Sequence, residues 1–182
     1  MRRTSTSFLF SHAAIRLGAL FLGAGPVLAG CQGPNAAALD MAVSEHGQVV
    51  VNEVFSSGSD PLTDPDWVEL KNIGSSPVDL SGHRVRDEQT TAMLPAGTQI
   101  AAGAYLLIYC DDAPDGGARD RIHVPFKLGG QDEFYLLAPD GTSLDGVAWN
   151  SSLVSSGRSY GRLPDGIGQY LALTPTPGAR NL

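Results

Sequence analysis

The run Asp66–Asn72, DWVELKN, alternates strictly between two kinds of side chain. Trp67, Glu69 and Lys71 fall on one side, and Val68, Leu70 and Asn72 on the other. Successive side chains of a strand point to opposite faces, so this pattern predicts a half-buried β-strand. It places Val68 and Leu70 toward a core and Glu69 and Lys71 toward water. A slip of one residue would exchange the two faces, so the register is strongly constrained. Gly74, Ser75, Ser76 and Pro77 follow, and each is a turn former for its own reason. Val78, Asp79 and Leu80 then read as the start of a return strand that stops at Ser81-Gly82.

The remaining runs have the same character. Val49–Phe55 is rich in β-branched residues and bounded by turn formers, which predicts a strand. His83–Asp87, Thr90–Leu94 and Thr98–Ile100 are short candidates between Gly- and Pro-containing turns. Tyr105–Cys110 is continuously apolar and suits a central strand. Ile122–Leu128 and Glu133–Ala138 follow an acidic loop, Asp111–Asp120. Asp140-Gly141 marks a hairpin returning through Ser143–Trp149, because that pair accepts positive φ. No window shows helical periodicity. With 22 Gly and 12 Pro in 182 residues, many short strands are expected, and the fold class is all-β.

The first 30 residues differ from the rest. They contain Arg2, Arg3 and Arg16, no acidic residue, and the apolar run Leu17–Gly30. A basic start, a short apolar run and small residues before a boundary predict a secretory signal peptide over residues 1–30. That run is too short to span a bilayer, which takes about 20 apolar residues. Leu28-Ala29-Gly30-Cys31 resembles a bacterial lipobox. The resemblance implies that Cys31 is acylated and becomes the mature N-terminus. Gln32 rather than Asp after the cysteine implies the outer membrane. Residues 31–47, with Gly, Pro and small residues, are expected to be a flexible tether, and the folded domain to span residues 48–182.

Residues 1–30 hold three of the 12 basic residues, leaving 9 basic against 19 acidic and a formal charge of −10. Such a surface disfavours nucleic acid and a polybasic dock on anionic lipid. Membrane attachment is therefore expected through acyl chains alone. If Cys31 is acylated, Cys110 has no disulfide partner in its chain, and it reads as a small core or strand-end residue.

DWVELKNIGSSPVDLSG, together with NEVF in the first strand, resembles the signature of the lamin-tail domain. So do LPAGTQIAAGAYLLIYCDD, the Ser159–Gly166 box with Arg162-Leu163-Pro164-Asp165-Gly166, and the close Thr174–Asn181. The resemblance runs in order from Val49 to Asn181. One departure is His83, where the family often has Trp. The resemblance implies an immunoglobulin-like β-sandwich, with no metal or cofactor. Bacterial relatives often sit beside nuclease, phosphatase or adhesion domains, which implies a positioning or substrate-binding role; here the sandwich is expected to fill the mature chain.

Several residues invite a catalytic or metal-binding reading. Gly157-Arg158-Ser159-Tyr160-Gly161 has the letters of a nucleophile elbow, but strands surround it and no helix is expected behind it. His46, His83 and His123 are isolated in sequence and lack zinc-ligand spacing, so each is expected at or near the surface. Asp111-Asp112 and Asp132-Glu133 read as solvated loop acids. Asp60, Asp64, Asp66 and Glu69 are oxygen donors near one loop that would suit calcium only as a staple. The reading is a non-enzymatic, lipid-anchored envelope protein that binds protein or glycan through end loops. Asp60–Asp66 and Asp111–Asp120 would suit a basic protein patch, and Trp and Tyr side chains a glycan. The alternatives are a secreted hydrolase using Ser159 or a carboxylate pair, and a calcium-stabilised adhesion module.

Overall fold

A computed structural model describes residues 48–59, 64–112 and 121–182. The expectations for the leader, Cys31, the tether, His46, Asp60 and residues 113–120 lie outside the described residues. Among those described there is no α-helix. The strands are β1 (Val49–Phe55), β2 (Asp66–Asn72), β3 (Val78–Asp79), β4 (Arg84–Arg86), β5 (Thr91–Met93) and β6 (Gln99–Ile100). They continue as β7 (Tyr105–Cys110), β8 (Ile122–Val124), β9 (Asp132–Leu137), β10 (Ser143–Trp149), β11 (Ser159–Leu163) and β12 (Gln169–Leu173).

A six-stranded sheet has the order β12-β11-β1-β2-β7-β8, and a four-stranded sheet the order β10-β9-β4-β5. Their inner faces share one core. Val54, Val68, Leu70 and Ile108 come from the larger sheet, and Val85, Phe134, Leu136 and Val147 from the smaller. Each fully buried aliphatic or aromatic side chain contributes about 1.5–3 kcal/mol, which makes this layer the main source of stability. The arrangement is an immunoglobulin-like β-sandwich.

The inward placement of Val68 and Leu70 matches the alternation. The outward placement of Glu69 and Lys71 in water does not. Glu69 has no exposed surface. Lys71 is half-buried, with its ammonium paired to Asp165. A second layer covers this part of the outer face, for a reason given below.

The segment after β2 does not return alongside it. β3 leaves the large sheet and pairs with β6, Val78 opposite Ile100. Asn72 steers the chain there. Its Nδ2 donates to the carbonyls of Ser76 (2.8 Å) and Ile100 (3.1 Å), and its Oδ1 accepts from the Gly74 amide (2.9 Å). These bonds fix the turn and draw it toward β6. The expected strand Ile122–Leu128 stops at Val124 because Pro125 cannot donate to a ladder. β12, which is absent from the strands expected above, forms one edge of the large sheet. His83, expected near the surface, is buried, as are Trp67 and Trp149, so neither Trp offers a face to a glycan.

Candidate functional site

The polar centre of the molecule begins with one extra residue in β1. Val51 pairs with Leu70, but Glu53 pairs with Glu69, so Asn52 has no counterpart. Such a bulge breaks the alternation of faces. Asn52 and Glu53 therefore both deliver side chains to one buried cluster, although they are neighbours in sequence. Asn52 Nδ2 donates to Glu69 Oε1 (2.9 Å) and Asp165 Oδ1 (3.0 Å), and its Oδ1 accepts from the Gly166 amide (2.8 Å). Asp165 Oδ2 receives the Tyr105 hydroxyl (2.8 Å) and the Lys71 ammonium.

The segment after β12, residues 174–182, lies over this cluster as a strap. The Thr176 amide approaches Glu53 Oε1 at 3.2 Å, and the Gly178 amide donates to Glu69 Oε2 at 2.6 Å. Asn181 is almost fully buried. Its Nδ2 donates to the carbonyls of Asn52 (3.3 Å) and Arg162 (3.0 Å), and its backbone amide donates to Asp165 Oδ1 (3.2 Å). This strap is the second layer over β1 and β2, and it is why Glu69 is dry.

Glu53 and Glu69 face each other across the two strands. Like charges directly opposite are unfavourable, and burial adds to the cost. Burial pushes the Glu69 carboxyl from 4.5 up to about 7, with Glu53 and Asp165 adding repulsion against the bonds from Asn52 and Gly178. Burial raises Glu53 as well. The two titrate as a pair. Glu53 accepts the Ser159 hydroxyl at Oε1 and the Thr176 hydroxyl at Oε2, 2.9 Å away, with the Thr176 amide shared between its two oxygens. Asn181 Nδ2 is committed to two carbonyls, so its Oδ1 faces the Thr176 hydroxyl, also 2.9 Å away. The two oxygens of Glu69 face the N–H groups of Asn52 and Gly178.

Close approach matters here. A Cβ on Gly161 would lie 2.8 Å from Asn181 Nδ2 and 3.1 Å from Glu53 Cγ. Gly161→Ala is therefore expected to lift the strap and lower stability by about 2 kcal/mol in urea unfolding. Gly157, at the head of the same segment, answers a different need. A Cβ there would meet open space, and the positive φ of 77° is what favours glycine.

Ser159 is fully buried, and its hydroxyl donates to Glu53 Oε1 at 2.5 Å rather than to an imidazole. The structure thus uses Ser159 as a strut of the cluster. Asp64 spends its oxygen on its own loop, and Asp66 spends its two on that loop and on Leu128. Asp64 accepts from Ser59, and Asp66 accepts from the amides of Gly58 (2.8 Å) and Leu128 (3.3 Å). Glu69 lies in the strap cluster, bonded to Asn52 and Gly178. Among the described residues no group of three or more His, Cys, Asp or Glu is placed to hold a metal ion.

Asp111 corrects the expectation of a solvated acid: it is buried, with Oδ2 2.6 Å from His123 Nδ1. Asp132 accepts from the amides of Gly129 and Glu133, and Glu133 pairs with Arg86 at 3.0 Å. Asp87, Glu88, Asp112 and Asp132 line an open cleft between loops together with Lys127. Cys110 is buried, which pushes its thiol well above the ordinary value and leaves it inert. Asn52, Asp165 and Asn181 enter the sequence reading only as letters of motifs. Their shared role is not visible there, since Asn52 lies more than a hundred residues from the other two.

The family model of the Lamin Tail Domain matches residues 42–151, more than half of the chain. The chain belongs to the lamin tail domain family. No curated protein matches it. Lamin tail domains are non-enzymatic, immunoglobulin-like modules, and a β-sandwich of this family suggests an interaction module. In this lamin tail domain the matched segment supplies Asn52, Glu53, Glu69 and Lys71. Their partners Ser159, Asp165, Thr176 and Asn181 lie after it.

Proposed function

We propose that this chain is a non-enzymatic, lipid-anchored envelope protein whose lamin tail sandwich binds or positions a protein or glycan partner. The observation that carries the reading is the state of the buried acids. Glu53, Glu69 and Asp165 converge inside the fold beside Ser159, and their bonds go to Asn52, Ser159, Lys71, Tyr105 and the strap. A general acid or base must reach a substrate proton, and these groups are closed off from solvent. The cluster closes the sandwich and leaves the surface for recognition.

The leader and Leu28-Ala29-Gly30-Cys31 support anchoring through acyl chains on Cys31 at the outer membrane. The acidic balance supports a partner other than nucleic acid. No cofactor enters the reading. Cys31→Ser is expected to move the protein from the membrane to the soluble fraction and to remove its lipid mass. A mutant that stays with membranes, beside a wild type without lipid mass, ends the anchoring proposal. Turnover in esterase, phosphatase or nuclease screens that disappears in Ser159→Ala ends the non-enzymatic one.

A further inference from the structure

The strap covers β1 and β2 but leaves the outer face of β7 open beside Gly178. Tyr105, Leu107 and Tyr109 occupy alternate positions of β7 and are all half-buried. With Arg121, Ile122 and Gly178 they line a groove of about 310 Å³. Both tyrosines are held in place from behind. The Tyr105 hydroxyl is bonded to Lys71 and Asp165, each at 2.8 Å. The Tyr109 ring stacks on His123 with centroids 5.3 Å apart. Walls fixed before binding lose little entropy when a ligand arrives.

Arg121 gives this groove its charge, and it differs from the other arginines that stack on tyrosines. Arg86 stacks on Tyr135, Arg162 on Tyr170 and Arg121 on Tyr109. Arg86 is neutralised by Glu133 and Arg162 by Asp145. Arg121 is exposed, with its guanidinium carbon 5.2 Å from the Tyr109 centroid, and no described carboxylate pairs with it. A guanidinium with no carboxylate partner among the described residues, beside a rigid aromatic wall, favours a carboxylate-bearing occupant, which it can bind with two parallel hydrogen bonds.

We propose that this groove binds an acidic carbohydrate, with Arg121 holding a uronate-type carboxylate and Tyr105, Leu107 and Tyr109 forming the wall along which the sugar lies. The groove is the size of one or two rings and too small for a folded protein surface. Leu107 supplies a short apolar floor, which suits the C–H face of a sugar and is too small for an acyl chain. This deepens the interaction-module reading and names its ligand class. The two fail separately: membrane fractionation and turnover screens judge that reading, and ligand titration judges the groove.

The test is calorimetric titration of the full chain, purified in detergent, with digalacturonate, a neutral disaccharide (cellobiose) and acetate. Saturable binding of digalacturonate is expected, at least about tenfold tighter than cellobiose and weakened by salt. Arg121→Gln and Tyr109→Ala should each weaken it by about tenfold or more, and Arg121→Gln should leave the unfolding midpoint unchanged because Arg121 is exposed. Chemical-shift changes confined to Tyr105, Tyr109 and Arg121 would support the site without any variant. No saturable binding, equal binding by Arg121→Gln, or equal affinity for cellobiose overturns the proposal. Acetate binding as tightly as digalacturonate overturns the carbohydrate part.

Discussion

Asn181→Ala is expected to destabilise the protein by about 3 kcal/mol, although the residue sits one position from the last residue of the sequence. The side chain is buried and its amide satisfies three buried groups at once: the carbonyls of Asn52 and Arg162 and the hydroxyl of Thr176. Alanine leaves each of them dry and unpaired, and an orphaned buried polar group costs about 1–3 kcal/mol. The loss does not simply triple, because the strap will partly lift and admit water. Arg180 is the internal control. It is exposed, and Arg180→Ala should change stability by less than about 0.5 kcal/mol. Urea midpoints for the two variants decide the matter: similar small shifts would mean that the strap is not part of the cooperative fold.

Stability should rise as pH is lowered from about 7.5 to about 5, by on the order of 3 kcal/mol. The cause is the Glu53–Glu69 pair. In the unfolded chain a glutamate titrates near 4.5, whereas burial moves Glu69 in the fold up to about 7. Between those values the folded chain binds more protons than the unfolded chain. Stability therefore falls as pH rises through that window, and the full cost of the second charge is present above about 7. Asp165 works in the opposite sense. Burial opposes its ionisation, but Lys71 and Asn52 outweigh burial and hold its carboxyl below the ordinary 3.8. Its contribution is lost only in stronger acid, so the maximum should lie at about pH 5.

Glu53→Gln tests the pairing of the two acids. The glutamine carbonyl oxygen can accept from Ser159 and its amide can donate to Thr176 Oγ1. The variant should make the pH profile shallower, because Glu53 is raised too and repels Glu69, and should gain stability at about pH 7.5. A wild type with equal urea midpoints at the two ends of that pH range would contradict the paired titration. A variant that keeps the full slope would place the titration on Glu69 alone.

Much of the β-sandwich can be read from local pattern. The alternation in Asp66–Asn72, the β-branched run Val49–Phe55 and the Asp140-Gly141 turn each set an element by forces acting within a few residues. Val68 and Leu70 reach the core because a period of two leaves them no other face. β12 escapes such a reading because Tyr170, Leu171, Ala172 and Leu173 run together without alternation and adjoin Gly166 and Gly168. Glu69 is misplaced for a different reason. Alternation tells which residues share a face, and tells nothing about what covers that face.

The sequence by itself determined most of the strands, the inward face of β2 and the family, because these depend on side-chain period, turn chemistry and motif order along the chain. The tertiary structure alone decided that the outer face is dry. The bulge at Asn52 and the strap carrying Thr176, Gly178 and Asn181 converge on Glu53 and Glu69 from positions more than a hundred residues apart. Burial under the strap raises the carboxyls of those acids against hydrogen bonds of a few ångströms, and only the folded chain brings the cover and the donors together.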